Sequence, residues 1–397
     1  MMFAATIRTY NKAYTGLSKE TWLLSLIMLI NRSGTMVIPF MTLYLTTALG
    51  YSISKAGFVF AIFGAGAFAG AWLGGKLTDR IGFYPVQLFT LFVGGILFFI
   101  LGQMHTYPLI CLFTFLLSFI NEAFRPANST AIAFYSKEAN RTRSYALNRL
   151  AINLGWALGS SIGGMLAHLN YQLLFWVDGI TNIIAAIIML VFLKPLPLTT
   201  NNYSLKTSSP TLSPWRDKKF IQFVLLTILF ASCFFQLFTN LPVFLKKELH
   251  LSEKFIGFIM AANGLIIAAV EMVIIYKLEG KRNILTYISL GVLLICISFL
   301  LLNLPLPAKM VAISMIMFVT FGEILSMPFM NTYWIKRTQA NNRGQYAAIY
   351  TMAWSVAQTL GPMLGARLAD SAGFDCLWYS ISVILLFTAW AFSKEST

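Results

Sequence analysis

Two opposite charges interrupt the apolar run from Tyr107 to Phe134. Glu122 and Arg125 stand one helical turn apart, and Ser118, Asn121, Asn128 and Ser129 continue their i, i+3, i+4, i+7 spacing, so all six share one helix face. Side chains of these types hold or pass protons and bind polar solutes. A stripe of them inside hydrocarbon cannot face lipid and must face a water-filled cavity or other helices. Glu122 and Arg125 can therefore be a proton site whose loading frees the arginine, or a permanent ion pair that stabilises the helix stack.

Other apolar runs carry further charges. Glu323 lies in Gly322-Glu323-Ile324-Leu325-Ser326-Met327-Pro328, with no basic residue within two turns along the chain, and is the leading candidate to load and release a proton. Glu271 shares a face with Asn263 and Ile267 and is a further proton-coupling candidate, unless it only pairs with nearby Lys277 or Arg282. Arg32, in Asn31-Arg32-Ser33-Gly34, can bind a solute carboxylate or neutralise Glu122. Arg149 forms a polar face with Asn153, Trp156 and Ser160 near the inner surface, where snorkelling or pairing with a gate carboxylate is expected. Asp178, after Phe175-Trp176, reads as an interface residue.

Candidate lining residues are polar or aromatic side chains sharing a face: Tyr44; Gln236 and Asn240 near Phe235; Tyr350, Trp354 and Gln358; and Asn331 with Trp334. With Asn121, Arg32 and Arg125 they suit amphipathic organic solutes, including cations held by π-faces and a carboxylate, better than an inorganic ion or a sugar.

The elements that must position these groups follow from composition. Hydrophobic residues make up 58% of the 397-residue chain and charged ones 11%, outside the range of soluble domains. Continuous runs of spanning length, rather than period-two alternation, indicate a polytopic α-helical membrane protein and argue against a β-barrel. Twelve spans are expected, at about 22–47, 54–78, 84–104, 107–134, 144–168, 171–193, 219–245, 253–277, 283–303, 308–335, 344–369 and 373–393. The first, preceded by Arg8, Lys12 and Lys19, is too long for a signal peptide's apolar region and contains Arg32.

The net charge of +15 invites a nucleic-acid partner, but the distribution argues against it. Twenty of the 29 Lys and Arg fall in alternate segments, which places both termini in the cytoplasm and the protein in the inner membrane. Three His without ligand spacing give no metal site. Cys111, Cys233, Cys296 and Cys376 lie in apolar runs without a CxxC and are expected to be free and buried. With no P-loop, no cofactor beyond a proton gradient is expected.

Residues 194–218, with four Pro among Thr, Asn and Ser, read as a cytoplasmic linker between an N-terminal bundle (1–193) and a C-terminal bundle (219–397). The halves echo each other. Tyr44-Leu45, Leu49, Ser52, Gly57-Phe58 and Gly64 are matched 200 positions later by Phe244-Leu245, Leu249, Ser252, Gly257-Phe258 and Gly264, and Glu122, Tyr145-Ala146 and Gly164 recur 201 later as Glu323, Tyr346-Ala347 and Gly365. A constant offset indicates internal duplication, the organisation of secondary transporters with a midplane site.

Gly75-Lys76-Leu77-Thr78-Asp79-Arg80-Ile81-Gly82 then resembles the G-x-x-x-D-R-x-G loop of the major facilitator superfamily. Gly155 to Gly164 is similar to the Gly-rich fifth-span motif of that superfamily's drug/proton antiporters, with Ser160 in place of its Pro; bare helix packing would require the same small residues. The resemblance implies a twelve-helix, all-α fold of two pseudo-symmetric six-helix bundles. It implies gating by Gly75, Asp79, Arg80 and Gly82, and Arg125 as the recurrent fourth-span arginine. Phe83-Tyr84 replace the usual basic residue after Gly82, and the second-half counterpart, Lys277 to Arg282, is degenerate.

The function expected from this resemblance is proton-coupled efflux antiport of small amphipathic solutes by a monomer in the bilayer. Gly322-Glu323 to Pro328 also resembles the tenth span of proton-coupled peptide transporters, where Glu meets the peptide amino group, so proton-driven uptake of peptides or related zwitterions is the alternative. The first-span E-x-x-E-R motif of that family is absent apart from Arg32. A membrane-embedded enzyme using Glu122 is a third reading, unsupported by any nucleophile–base set.

Overall fold

A computed structural model describes residues 12–51, 53–193, 213–339 and 341–394. The described residues are almost entirely helical, as they must be where apolar backbone has no water to bond. We number the spans α1–α12. α1 is interrupted, running Lys19–Ser33 and then Val37–Leu43 with a π-turn at Tyr44–Ala48. α2 is Ile53–Ile81, α3 Phe83–Gly102, α4 Tyr107–Tyr135, α5 Arg141–Leu169 and α6 Gln172–Phe192. α7 comprises Lys218–Phe234, a tight turn at Phe235–Phe238, and Asn240–Lys247. α8 is Glu253–Leu278, α9 Ile284–Leu300 and α10 Ala308–Lys336. Arg343–Lys394 folds back at Gly373, whose φ of +85° few other residues tolerate, giving α11 before it and α12 after it. These twelve spans match the sequence reading to within a few residues. Most of the expected linker, 194–212, lies outside the described residues.

Helix starts are set by short polar side chains. Ser18, Asp217, Ser252 and Asn283 each accept from an amide of the following first turn, which satisfies a donor that the helix leaves open. The break in α1 is held differently. Asp178 of α6, fully buried, accepts from the amides of Met36 (3.0 Å) and Val37 (2.8 Å), and so caps the second part of α1 from another helix. The expected interface residue is thus an internal cap.

α2 packs along α4, α3 along α6 and α1 along α5; in the second half α9 packs along α10 and α7 along Arg343–Lys394. Small residues allow the close approaches. A Cβ on Gly155 would lie 2.5 Å from that of Arg32, so the Gly-rich stretch of α5 serves as the packing face for α1. Among the cysteines Cys233 and Cys296 are buried, whereas Cys376 is exposed, contrary to expectation; all four are free.

Candidate functional site between the two halves

The first six spans meet the last six at, among other places, the end of the bundle that carries Lys218 and the α4–α5 connection, here called the linker end. A Cβ on Gly75 of α2 would collide with Ala348 of α11, and nearby Asp79 accepts from the amides of Gly344 (2.6 Å) and Gln345 (2.9 Å). The carboxylate therefore caps α11 across the seam. Glu279, 200 positions later, makes the mirror-image contact. It accepts from the amide of Thr142 (2.9 Å) at the start of α5 and from Arg143 Nε (3.0 Å). The motif that looked degenerate keeps its acidic residue and its contact. Gly82, at φ +87°, ends α2, while Arg80 is exposed.

About 10 Å deeper along α5, by helical rise, Arg149 crosses between the halves. Its Nη2 lies 3.2 Å from Glu323 Oε2 and 3.6 Å from Glu271 Oε2, and its Nη1 donates to the Glu323 carbonyl at 3.0 Å. Asn263 of α8 donates to Glu323 Oε1 (3.0 Å) and to Thr320 (2.9 Å). Both carboxylates are almost fully buried. Neither oxygen of Glu271 has a hydrogen-bond partner among the described residues, so the charge of Arg149 is its main compensation. Pro328, one turn along α10, removes the amide that would bond the Ile324 carbonyl and loosens the helix beside Glu323.

Three expectations are corrected here. Glu323 has a basic partner, which arrives from α5 rather than from its own helix. Arg149 neither snorkels nor pairs at the gate, and Glu271 pairs with it rather than with Lys277 or Arg282. Sequence reasoning left Arg149 out of the site. The available signal was charge balance: Glu323 had no cation assigned, and Arg149 was an arginine within a span to which no named carboxylate had been assigned.

The other singled-out residues divide into two groups. Glu122 and Arg125 form an ion pair of 3.0 Å within α4, and Arg32 of α1 lies in the electrostatic range of both. Tyr350 of α11 is in range of Arg125 and Arg149, and its ring lies 6.2 Å from that of Trp354. These residues converge. Tyr44 does not: it is buried among Tyr171 and Phe175 within the first half. Asn121 packs its amide against Gly94 of α3, and Asn128 links Gln87 to Asn148. Gln236 donates to the Gly361 carbonyl (2.7 Å) and accepts from Asn240, fixing α7 to the bend of α11. Asn331 is spent on Met327 and Trp334 near the linker end, and Gln358 is exposed. The amides expected to line a cavity thus mostly join helices.

Near the seam, Asp217 accepts from Arg337 (2.6 and 2.9 Å) and Tyr346 (3.0 Å). Burial alone would push its pKa up, but the hydrogen bonds from Arg337 and the Phe220 amide outweigh it and hold this carboxyl below its ordinary value.

Comparison with known proteins agrees with this architecture. The family model described as Major Facilitator Superfamily matches residues 21–362. The MFS-type transporter YttB of Bacillus subtilis is 23% identical over 370 residues, covering 90% of each chain. The quinolone resistance protein NorA of Staphylococcus aureus is 23% identical over 337 residues, covering 84% of this chain and 86% of that one. Among solved structures, the human organic anion transporter MFSD10 superposes with a TM-score of 0.75 at 17% identity, covering 94% of this chain and all of that one. A bacterial homologue of the iron transporter ferroportin in an outward-facing state gives 0.71 at 15% identity, with 95% and 99% covered. With twelve apolar spans, two halves meeting at charged seams and a family match over most of its length, the chain is a multi-pass membrane transporter, not an enzyme, and belongs to the Major Facilitator Superfamily.

Proposed function

We propose that the protein is a proton-coupled antiporter that exports small amphipathic organic solutes across the inner membrane as a monomer, with both termini and the linker end in the cytoplasm. One observation carries this reading: Arg149 from the first half is held by two buried carboxylates, Glu271 and Glu323, of the second. One cation against two carboxylates leaves a charge that hydrocarbon does not tolerate, and one proton removes it. A second proton, or a solute that displaces Arg149, releases the halves from each other. Proton binding and rocking of the halves thus become one equilibrium, which a solute gradient or a proton gradient can drive. Glu122, paired inside its own helix, is left unchanged by rocking and is not the coupling group. The basic segments at the linker end support the orientation. Similarity to a quinolone resistance protein supports export.

The test uses proteoliposomes holding a pH dye. Adding an amphipathic aromatic solute outside should alkalinise the interior, and Glu323→Gln should abolish the change. Acidification on adding a dipeptide would instead mean symport and overturn the antiport reading. Unaltered proton coupling in Glu323→Gln would sink the role given to this cluster.

A further inference from the structure

The charges within the spans are unevenly divided. Arg149 faces two carboxylates, whereas Arg32 and Arg125 share the single carboxylate of Glu122, whose oxygen already pairs with Arg125 at 3.0 Å. Asp178, on the neighbouring α6, is committed to the Met36 and Val37 amides. Among the described residues the Arg32 guanidinium forms no hydrogen bond or ion pair, although its carbonyl accepts from the Thr35 amide. It lies roughly 20 Å along α1 from the linker end by helical rise, where an uncompensated cation is costly. Its backbone is fixed against Gly155 and Gly159 of α5, so it cannot swing out of the bundle without parting two closely packed helices. Arg125 keeps about a third of its side chain exposed (32%). Tyr350, on the segment Arg343–Lys394 that packs against α4, lies in the electrostatic range of Arg125, and its ring is 6.2 Å from that of Trp354, whose indole Phe230, Phe234 and Phe235 pack edge-on.

We propose that Arg32 and Arg125 form an anion subsite walled by Tyr350 and Trp354, so that the transported solutes are aromatic compounds bearing a carboxylate or similar anionic group. A planar guanidinium takes a carboxylate through two parallel hydrogen bonds, and a rigid aromatic wall holds the flat remainder of the solute. The bound anion supplies the charge that the first half lacks. Lipophilic cations, which the sequence reading included among the amphipathic solutes, meet an excess of positive charge on this side. The proposal rests on the transporter reading but not on proton coupling.

The test is equilibrium dialysis of the purified full chain in detergent with three probes of one shape: 2-naphthoate, neutral 2-naphthamide and 2-naphthylmethylammonium. Naphthoate should bind about tenfold or more tighter than the amide, the size of effect expected from charge-assisted hydrogen bonds. Arg32→Gln should erase that preference and leave amide binding unchanged, which also reports that the variant is folded; Arg32→Lys should restore part of it. If Arg32→Gln does not fold, Arg125→Gln carries the same comparison. Glu323→Gln should keep the preference while losing proton coupling, so the two proposals fail separately. Equal binding of acid and amide, tighter binding of the cation, a preference that survives Arg32→Gln, or no binding of any probe would each overturn the subsite.

Discussion

Glu122 and Glu323 occupy corresponding places in the two halves, 201 positions apart, yet their cations come from different directions. Glu122 is neutralised by Arg125, three residues on in α4. Glu323 is neutralised by Arg149, which belongs to the other half. A pair within one helix keeps its own geometry however the halves move. A pair between halves must break or tighten when they rock, so anything that titrates it acts on conformation. The same carboxylate at the same position is paired within its own helix in one half and with the opposite half in the other. What differs is the helix that supplies the partner.

The largest expected effect comes from removing the shared cation. Arg149→Gln strands two buried carboxylates and should cost about 3–5 kcal/mol, read by thermal unfolding at neutral pH. Adding Glu271→Gln should recover a large part of that loss; a strictly additive double variant would contradict the shared-cation arrangement. Glu122→Gln removes the carboxylate that Arg32 and Arg125 share and should also destabilise, but less than Arg149→Gln, because Arg125 keeps about a third of its side chain exposed (32%). A larger loss there than at Glu323 would reverse the comparison.

The seam offers the same comparison with two bridges. Asp79 caps α11 through two amides, and Glu279 caps α5 through one amide and Arg143. Asp79→Ala should weaken the closed linker end by about 1–2 kcal/mol, the value of a lost cap, and shift its populations about 5–30-fold. Spin-label distances across that end would register the opening, and an unchanged distribution would show that Asp79 does not hold the seam. Glu279→Gln keeps a weaker acceptor and should give a smaller shift.

The smallest effect lies at Asp217, whose partners all belong to the second half. Its folded pKa is depressed, so its contribution is present above the ordinary carboxylate value of about 4 and disappears as pH falls below it. Thermal stability should therefore decline more steeply below pH 4 in the parent than in Asp217→Asn. Parallel pH profiles would show that this pair carries no linkage.

The span pattern was legible because a bilayer leaves helical backbone as its main solution, and apolar length reports it directly. Residue types at corresponding positions made the duplication and Asp79 visible, and Glu323 stood out as a charge in hydrocarbon. Glu279 was hidden because its glycines and arginine had drifted while its acid remained. The role of Asp178 was hidden because amides freed by a break in another helix leave no mark on its own. Arg149 was discounted for its depth along α5, but a guanidinium reaches several ångströms beyond its Cα. Sequence determines which side chains sit at which depth of which helix. Only the packing of α5 against α8 and α10, and of α1 against α5, decides which charges meet, because partners in a bundle are neighbours in space and not along the chain.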